Sequence, residues 1–318
     1  MNKQYSFLFC TLKMCAALIL GLFSISVYAI PNVVVTIPPV HSLVAAVMKG
    51  VAEPVLLFDG GQSPHSNSLK PSLIRQVARA ELLIWISPDF EISLRKPVAQ
   101  QRSMRVLTLI DEPEMHVLPA RQSKAWHTDH ASHDHSNHSE HESTGAQLPD
   151  MHLWLSAENA REIVAVVAQV LTEMDPQNAQ RYQLNALKVI DDISETKNVI
   201  SHALQAIGEV PYLVFHDAYQ YFEKEYGLNP VGAVTLNPER KPGIKTMIAI
   251  EQNIELQDVQ CIFNEPQFQP RLVARIAEDT GIRSGELDPV GASLRPGPGL
   301  WFDLMLSLRN NLLACLLN

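Results

Sequence analysis

Apolar positions in this chain come in two patterns: short unbroken runs, and longer stretches where they recur every three or four residues. Asn32–Thr36 (NVVVT), Pro54–Phe58 (PVLLF), Leu82–Ile86 (LLIWI) and Arg105–Leu109 are the runs of the first half. They do not alternate with polar residues, which predicts strands covered on both faces. Val40–Lys49 and Leu69–Arg79, the latter with Pro71 near its start, read as helices between them. The second half repeats the pattern. Tyr212–Phe215 (YLVF), Gln260–Asn264 (QCIFN) and Gly281–Leu287 read as strands, Pro270 as the first residue of a helix, and Leu300–Leu316 as a closing amphipathic helix. Repeated strand–helix units predict parallel, layered α/β lobes.

Two helical patterns separate the halves. Ser156 is a good N-cap for a helix whose apolar stripe is Ala160, Ile163, Val164, Val167, Val170 and Leu171, and Asp175-Pro176 ends it. A second pattern runs from Gln177 to about Leu204 without Gly or Pro. At 1.5 Å per residue it would span ~42 Å, which is wider than a small domain. The expected fold is two parallel-sheet α/β lobes joined by this one long helix.

The pattern fails in two places. Residues 1–29 carry Lys3 and Lys13, an apolar stretch from Met14 to Val27, and small residues at Val27 and Ala29. That is the layout of a cleavable secretory signal peptide, and the stretch is too short and too interrupted by Ser24 and Ser26 for a membrane span. From Leu118 to Asp150 no hydrophobic period survives. A loop of that length inside a compact domain is normally functional or disordered.

Composition sharpens this picture. The 318 residues carry a net charge of −9, which becomes −11 without residues 1–29 because these hold two lysines and no acid. An acidic chain lacks the basic face that nucleic acid requires. Of four cysteines, Cys261 and Cys315 lie beyond residue 29, and in an exported chain an isolated pair suggests a disulfide rather than two thiols. There is no GxxxxGK[ST] phosphate loop, GxGxxG turn, GxSxG elbow or HExxH helix.

The chemistry that remains is histidine. Six of the twelve fall in one tract, His127, His130, His133, His135, His138 and His141, interleaved with Asp129, Asp134, Glu140 and Glu142. Such a tract can chelate ions like Zn²⁺ weakly and without fixed geometry. Three others are placed differently. His65 lies in the loop after one expected strand, His216 directly follows another, and His152 sits where order resumes after the tract. Asp288 directly follows the expected strand ending at Leu287. Ligands of open α/β sheets bind outside the carboxyl ends of strands, so these residues suggest a metal site in the cleft between the lobes. Three imidazoles and a carboxylate make a zinc set. His41, His116 and His202 have no such placement.

Several long segments resemble the ZnuA-type family, the periplasmic zinc-binding proteins of high-affinity zinc ABC transporters. They are DGGQSPHSNSLKPS around His65, DMHLWLSAENAREI around His152, VFHDAYQYFEKEYGLNPVG around His216, CIFNEPQF around Cys261 and LDPVG around Asp288. The resemblance covers nearly the whole chain after residue 29 and includes the His-rich tract. It implies two α/β lobes joined by one rigid helix, Zn²⁺ held by His65, His152 and His216, and a disulfide between Cys261 and Cys315. The fourth ligand it implies is a carboxylate or water. Asp288 is the carboxylate chosen, with Glu265 as the alternative. Some zinc members carry Glu just before the first His, where this chain has Pro64.

The expected organisation is a signal peptide at 1–29, an N-terminal lobe at 30–176 with the His-rich loop at 119–147, a linking helix at 177–205 and a C-terminal lobe at 206–318. The expected function is a monomeric, non-enzymatic periplasmic carrier that hands Zn²⁺ to a membrane permease. The alternatives are a manganese or iron carrier or an adhesin of the same fold, and a secreted zinc hydrolase with Glu265 or Asp217 as general base. Three imidazoles favour zinc over manganese, which prefers oxygen ligands.

Overall fold

Among the described residues, eight short strands form two four-stranded parallel sheets of identical topology. The computed structural model describes residues 30–59, 69–121, 148–236, 238, 242–268 and 271–317. The first lobe contains β1 (Val33–Val35), α1 (Pro38–Val47), β2 (Val55–Leu56), α2 (Pro71–Arg79), β3 (Leu82–Trp85), α3 (Arg95–Ala99) and β4 (Arg105–Thr108), with sheet order β2-β1-β3-β4. Next come α4 (Ala157–Met174) and α5 (Ala179–Leu204). The second lobe contains β5 (Tyr212–His216), α6 (Gln220–Tyr226), β6 (Pro230–Thr235), α7 (Ile244–Leu256), β7 (Cys261–Asn264), α8 (Arg271–Thr280) and β8 (Arg283–Glu286), with order β6-β5-β7-β8. The final helix, α9 (Leu300–Leu316), follows.

The unbroken apolar runs are explained by burial on both faces. In β5, Tyr212 and Val214 face the main core, whereas Leu213 and Phe215 face a second cluster with Ile250, Ile254, Val273 and Ile276 from α7 and α8. The main core runs through both lobes, from Val33 to Leu316, and residues 31–318 form one compact unit.

The long helix is continuous. Its 26 residues in α5 are extended by 3₁₀ turns at Pro176–Asn178 and Gln205–Ile207. A second tie comes from α9. The Trp301 backbone N–H donates to Ser42 Oγ in α1 at 2.9 Å, its indole donates to the Trp154 carbonyl at 2.9 Å, and the Trp154 indole donates to the Pro289 carbonyl at 2.7 Å. Both tryptophans are fully buried.

Most expected elements are present with shifted ends. The helix expected from Val40 begins at Pro38, because Pro38-Pro39 supplies the first turn, where no N–H is needed. The run Pro54–Phe58 pairs as a strand only over Val55–Leu56. Ser156 caps α4, accepting from the Asn159 N–H at 3.2 Å. The structure adds α3, α6, β6 and α7. Their sequence signals were weak, since β6 opens on Pro230 and contains Gly232, and α6 is only seven residues long. Gly227 ends α6 in the left-handed conformation (φ 64°), which a Cβ would strain. The expected signal peptide, the His-rich tract and Pro270 lie outside the described residues.

Candidate metal centre

The strand order places a switch point between β5 and β7, because the chain leaves β5 toward β6 on one side and returns as β7 on the other. The crevice at that point is where open α/β sheets bind ligands. β5 ends on His216, and Glu265 directly follows β7. The His216 Nδ1 lies 3.1 Å from Glu265 Oε1 and 3.4 Å from Oε2, with both side chains buried.

His152 enters from the other lobe, immediately before a 3₁₀ turn at Leu153–Leu155. Its Nδ1 lies 2.8 Å from Asp150 Oδ1, and its backbone N–H donates to the same oxygen at 3.0 Å. The two imidazoles meet across the cleft with ring centroids 4.9 Å apart and planes at 70°. Phe90 and Trp154 pack edge-on against His152 at 5.8 and 5.4 Å.

Each imidazole therefore has one ring nitrogen tied to a buried carboxylate. Such a tie fixes ring orientation and tautomer and raises the basicity of the other nitrogen. Nε2 is then the atom suited to bond a metal ion. The pairing has an electrostatic cost and gain at His216. Burial pulls its pKa down most strongly, but the carboxylates around it, Glu265 first and then Asp217 and Asp150, together outweigh it, so it stands above the ordinary histidine value. Protons and a metal ion therefore compete for this ring.

An ion-pair cluster adjoins the histidines. The Arg121 guanidinium reaches Asp217 Oδ1 at 3.0 Å and Glu223 Oε2 at 2.8 Å, and the Tyr212 hydroxyl donates to Glu223 Oε1 at 3.3 Å. Burial pushes the Asp217 carboxyl up to about 7 against the pull of Arg121.

Of the four residues expected to bind the ion, the structure brings His152 and His216 together. Asp288 is engaged in its own turn. Its Oδ1 accepts from Gln267 Nε2 at 2.7 Å and from the Val290 and Gly291 N–H groups at 3.0 and 2.9 Å, and its Oδ2 accepts from the Ala292 N–H at 2.6 Å. Among the described residues no three His, Cys, Asp or Glu side chains are grouped closely enough to hold an ion. His65 and the six tract histidines lie outside the described residues. The remaining histidines are remote from this pair in role. His41 is buried with Nε2 3.0 Å from the Pro54 carbonyl, whereas His116 and His202 are exposed. Cys261 and Cys315 form the expected disulfide, tying β7 to α9.

Sequence reasoning missed Asp150 altogether and considered Glu265 only as a ligand or base. A carboxylate two residues before an expected ligand histidine was a readable signal for the first. The second needed the strand order, since Glu265 and His216 are 49 residues apart.

Two α/β lobes bridged by a long helix, with buried histidines meeting where the lobes face each other, define a helix-linked solute-binding protein. A family model described as zinc-uptake complex component A, periplasmic, matches residues 33–315, and the chain belongs to that family. A curated relative from Brucella abortus (strain 2308), named high-affinity zinc uptake system protein ZnuA, is 34% identical over 309 residues, covering 90% of this chain and 91% of the relative. One of the same name from Yersinia pestis is 31% identical over 296 residues, covering 89% and 91%. A solved structure described as a crystal structure of ZnuA shares the fold, with a TM-score of 0.74 over 91% of this chain and 100% of that one, at 19% identity.

Proposed function

We propose that this protein captures Zn²⁺ in the periplasm and hands it to the membrane permease of an ABC transporter for zinc uptake. The observation that carries the reading is the interlobe pair His152 and His216, each with Nδ1 held by a buried carboxylate. His152, His216 and His65 bond the ion, the first two through Nε2. Asp288 or a water takes the fourth position, and Oδ2 is the Asp288 oxygen with the smaller hydrogen-bonding load. Zinc is tetrahedral with imidazole ligands and tolerates an open fourth position. Two imidazoles fixed by buried carboxylates suit it better than manganese, which prefers oxygen.

The chain acts by binding, not by turnover. The carboxylates that a hydrolase would need as a base are engaged, Glu265 with His216 and Asp217 with Arg121. Energy for transport comes from a separate ATPase. Residues 1–29 act as a cleavable signal peptide, and no helix of the described residues is long and apolar enough to cross a membrane. The tract from His127 to His141 provides weak, accessory zinc sites. The mature protein acts as a monomer.

Competition titration of the mature protein with Zn²⁺ and Mn²⁺ tests this. One tight site that prefers zinc should vanish in both His65→Ala and His216→Ala, with the weak tract sites retained. Unchanged tight binding in either variant overturns the ligand assignment.

A further inference from the structure

The two histidines come from different lobes, so something must set their separation. Trp154, packed on His152, makes one such tie to the Pro289 carbonyl, and the seven residues of α6 make several more. Gln220 Nε2 donates to the Pro119 carbonyl at 3.3 Å. The Tyr221 hydroxyl accepts from the Leu118 N–H at 3.0 Å and donates to the Asp150 carbonyl at 2.8 Å. Glu223 holds Arg121 at 2.8 Å. Glu225 Oε2 accepts the Ala157 N–H at the start of α4 at 2.7 Å, and its other oxygen meets Lys197 of α5 at 2.9 Å.

Asp150 lies two residues before His152, and Leu118 and Pro119 belong to the segment that pairs with the one ending at Asp150. Residues 118–120 and 148–150 pair as two antiparallel segments, with the Ala120 N–H donating to the Leu148 carbonyl and the Asp150 N–H to the Leu118 carbonyl, both at 2.8 Å. Asp150 then orients His152. On the other side, α6 begins four residues after His216, and Arg121 also grips Asp217, the residue following His216. A single helix thus reads the position of one histidine through its start and the other through its side chains.

We propose that α6 is a positioning element for the metal centre, with Tyr221 and Arg121 setting the His152–His216 separation and, through it, the preference for a small tetrahedral ion. This rests on the zinc-capture reading. A pair held at fixed spacing favours the short bonds of zinc, and a loosened pair lets a larger ion with more ligands compete. The Tyr221 hydroxyl bonds the Leu118 N–H and the Asp150 carbonyl, and removal of that hydroxyl leaves the ring in place.

The test compares wild-type mature protein with Tyr221→Phe, Arg121→Lys and His216→Ala, measuring tight-site affinity for Zn²⁺ and for Mn²⁺ and the Tm of the metal-free protein. Loss of one well-made hydrogen bond corresponds to about a fivefold change. Tyr221→Phe should weaken zinc by about that factor, weaken manganese less, and so lower the zinc-over-manganese ratio. Arg121→Lys, which replaces the two-pronged guanidinium with a single ammonium, should do the same and serves if Tyr221→Phe does not fold. An unchanged ratio in both, whatever the Tm, overturns the positioning role. Retention of the tight zinc site in His216→Ala instead overturns the zinc reading on which the proposal rests.

Discussion

Glu265 holds the His216 imidazole from behind, with its carboxylate 3.1 Å from Nδ1 and both groups sealed from water. This contact joins the residues at the ends of two neighbouring strands, β5 and β7, and therefore records the sheet topology as chemistry. Carboxylates in this position typically contribute about 10–100-fold to metal affinity without touching the ion. Glu265→Gln should keep the shape and lose the charge, so tight zinc binding should fall by about tenfold. Isothermal or fluorescence competition titration reads this, and an affinity within a factor of about two of wild type would remove Glu265 from the account.

A second buried carboxylate controls stability. Glu91 is fully buried in the first lobe and accepts hydrogen bonds from Thr36 Oγ1 at 2.6 Å and from the Ile86 and Ser87 N–H groups at 3.1 and 3.0 Å. Burial outweighs these donors and pushes its pKa up from 4.5 to about 7. The folded state therefore holds a proton that the unfolded chain releases near pH 4.5. Glu91 stabilises most below that pH, and its contribution declines as pH rises through about 7. The change amounts to about 3 kcal/mol. Urea unfolding of the metal-free protein at pH values on either side of this window should show the decline, and Glu91→Gln should remove that part of it. An identical pH slope in the variant would contradict the assignment.

The Cys261–Cys315 disulfide spans 54 residues and ties β7, which leads to Glu265, to the helix that crosses back to α1. In the chain-entropy model a loop of that size is worth about 4 kcal/mol. Cys261→Ser with Cys315→Ser should lower the unfolding free energy by about that much. Because both cysteines are buried, mild reductant should act slowly on the folded protein. A Tm unmoved by the double substitution would show that the native packing alone fixes α9.

Much of the fold was readable because burial on both faces leaves unbroken apolar runs. LLIWI became β3 with every residue of Leu82–Trp85 buried, and Leu300–Leu316 became α9 with the ends expected. The long linking helix was readable because Gln177–Leu204 contains no breaker, and α5 with its flanking turns is continuous. What escaped was short or set by distant partners. PVGAVT hid β6 behind a proline and a glycine. At the site, strand ends pointed to His216, and the end of the patternless segment to His152. Asp150 was within reach, two residues before His152, but Glu265 was not legible as an orienting group, because that depends on which strand lies beside which. The ties made by α6 were invisible for the same reason, since Tyr221 meets Leu118 103 residues away.

The central claim is that one zinc ion bridges the lobes through His152 and His216. Anomalous diffraction at the zinc edge from crystals of the zinc-loaded mature protein measures this directly. The expected result is a single strong peak within about 2.0–2.1 Å of Nε2 of both histidines, with Asp150 and Glu265 still on their Nδ1 atoms. A strong zinc peak elsewhere, with neither imidazole bonded to it, would contradict the account.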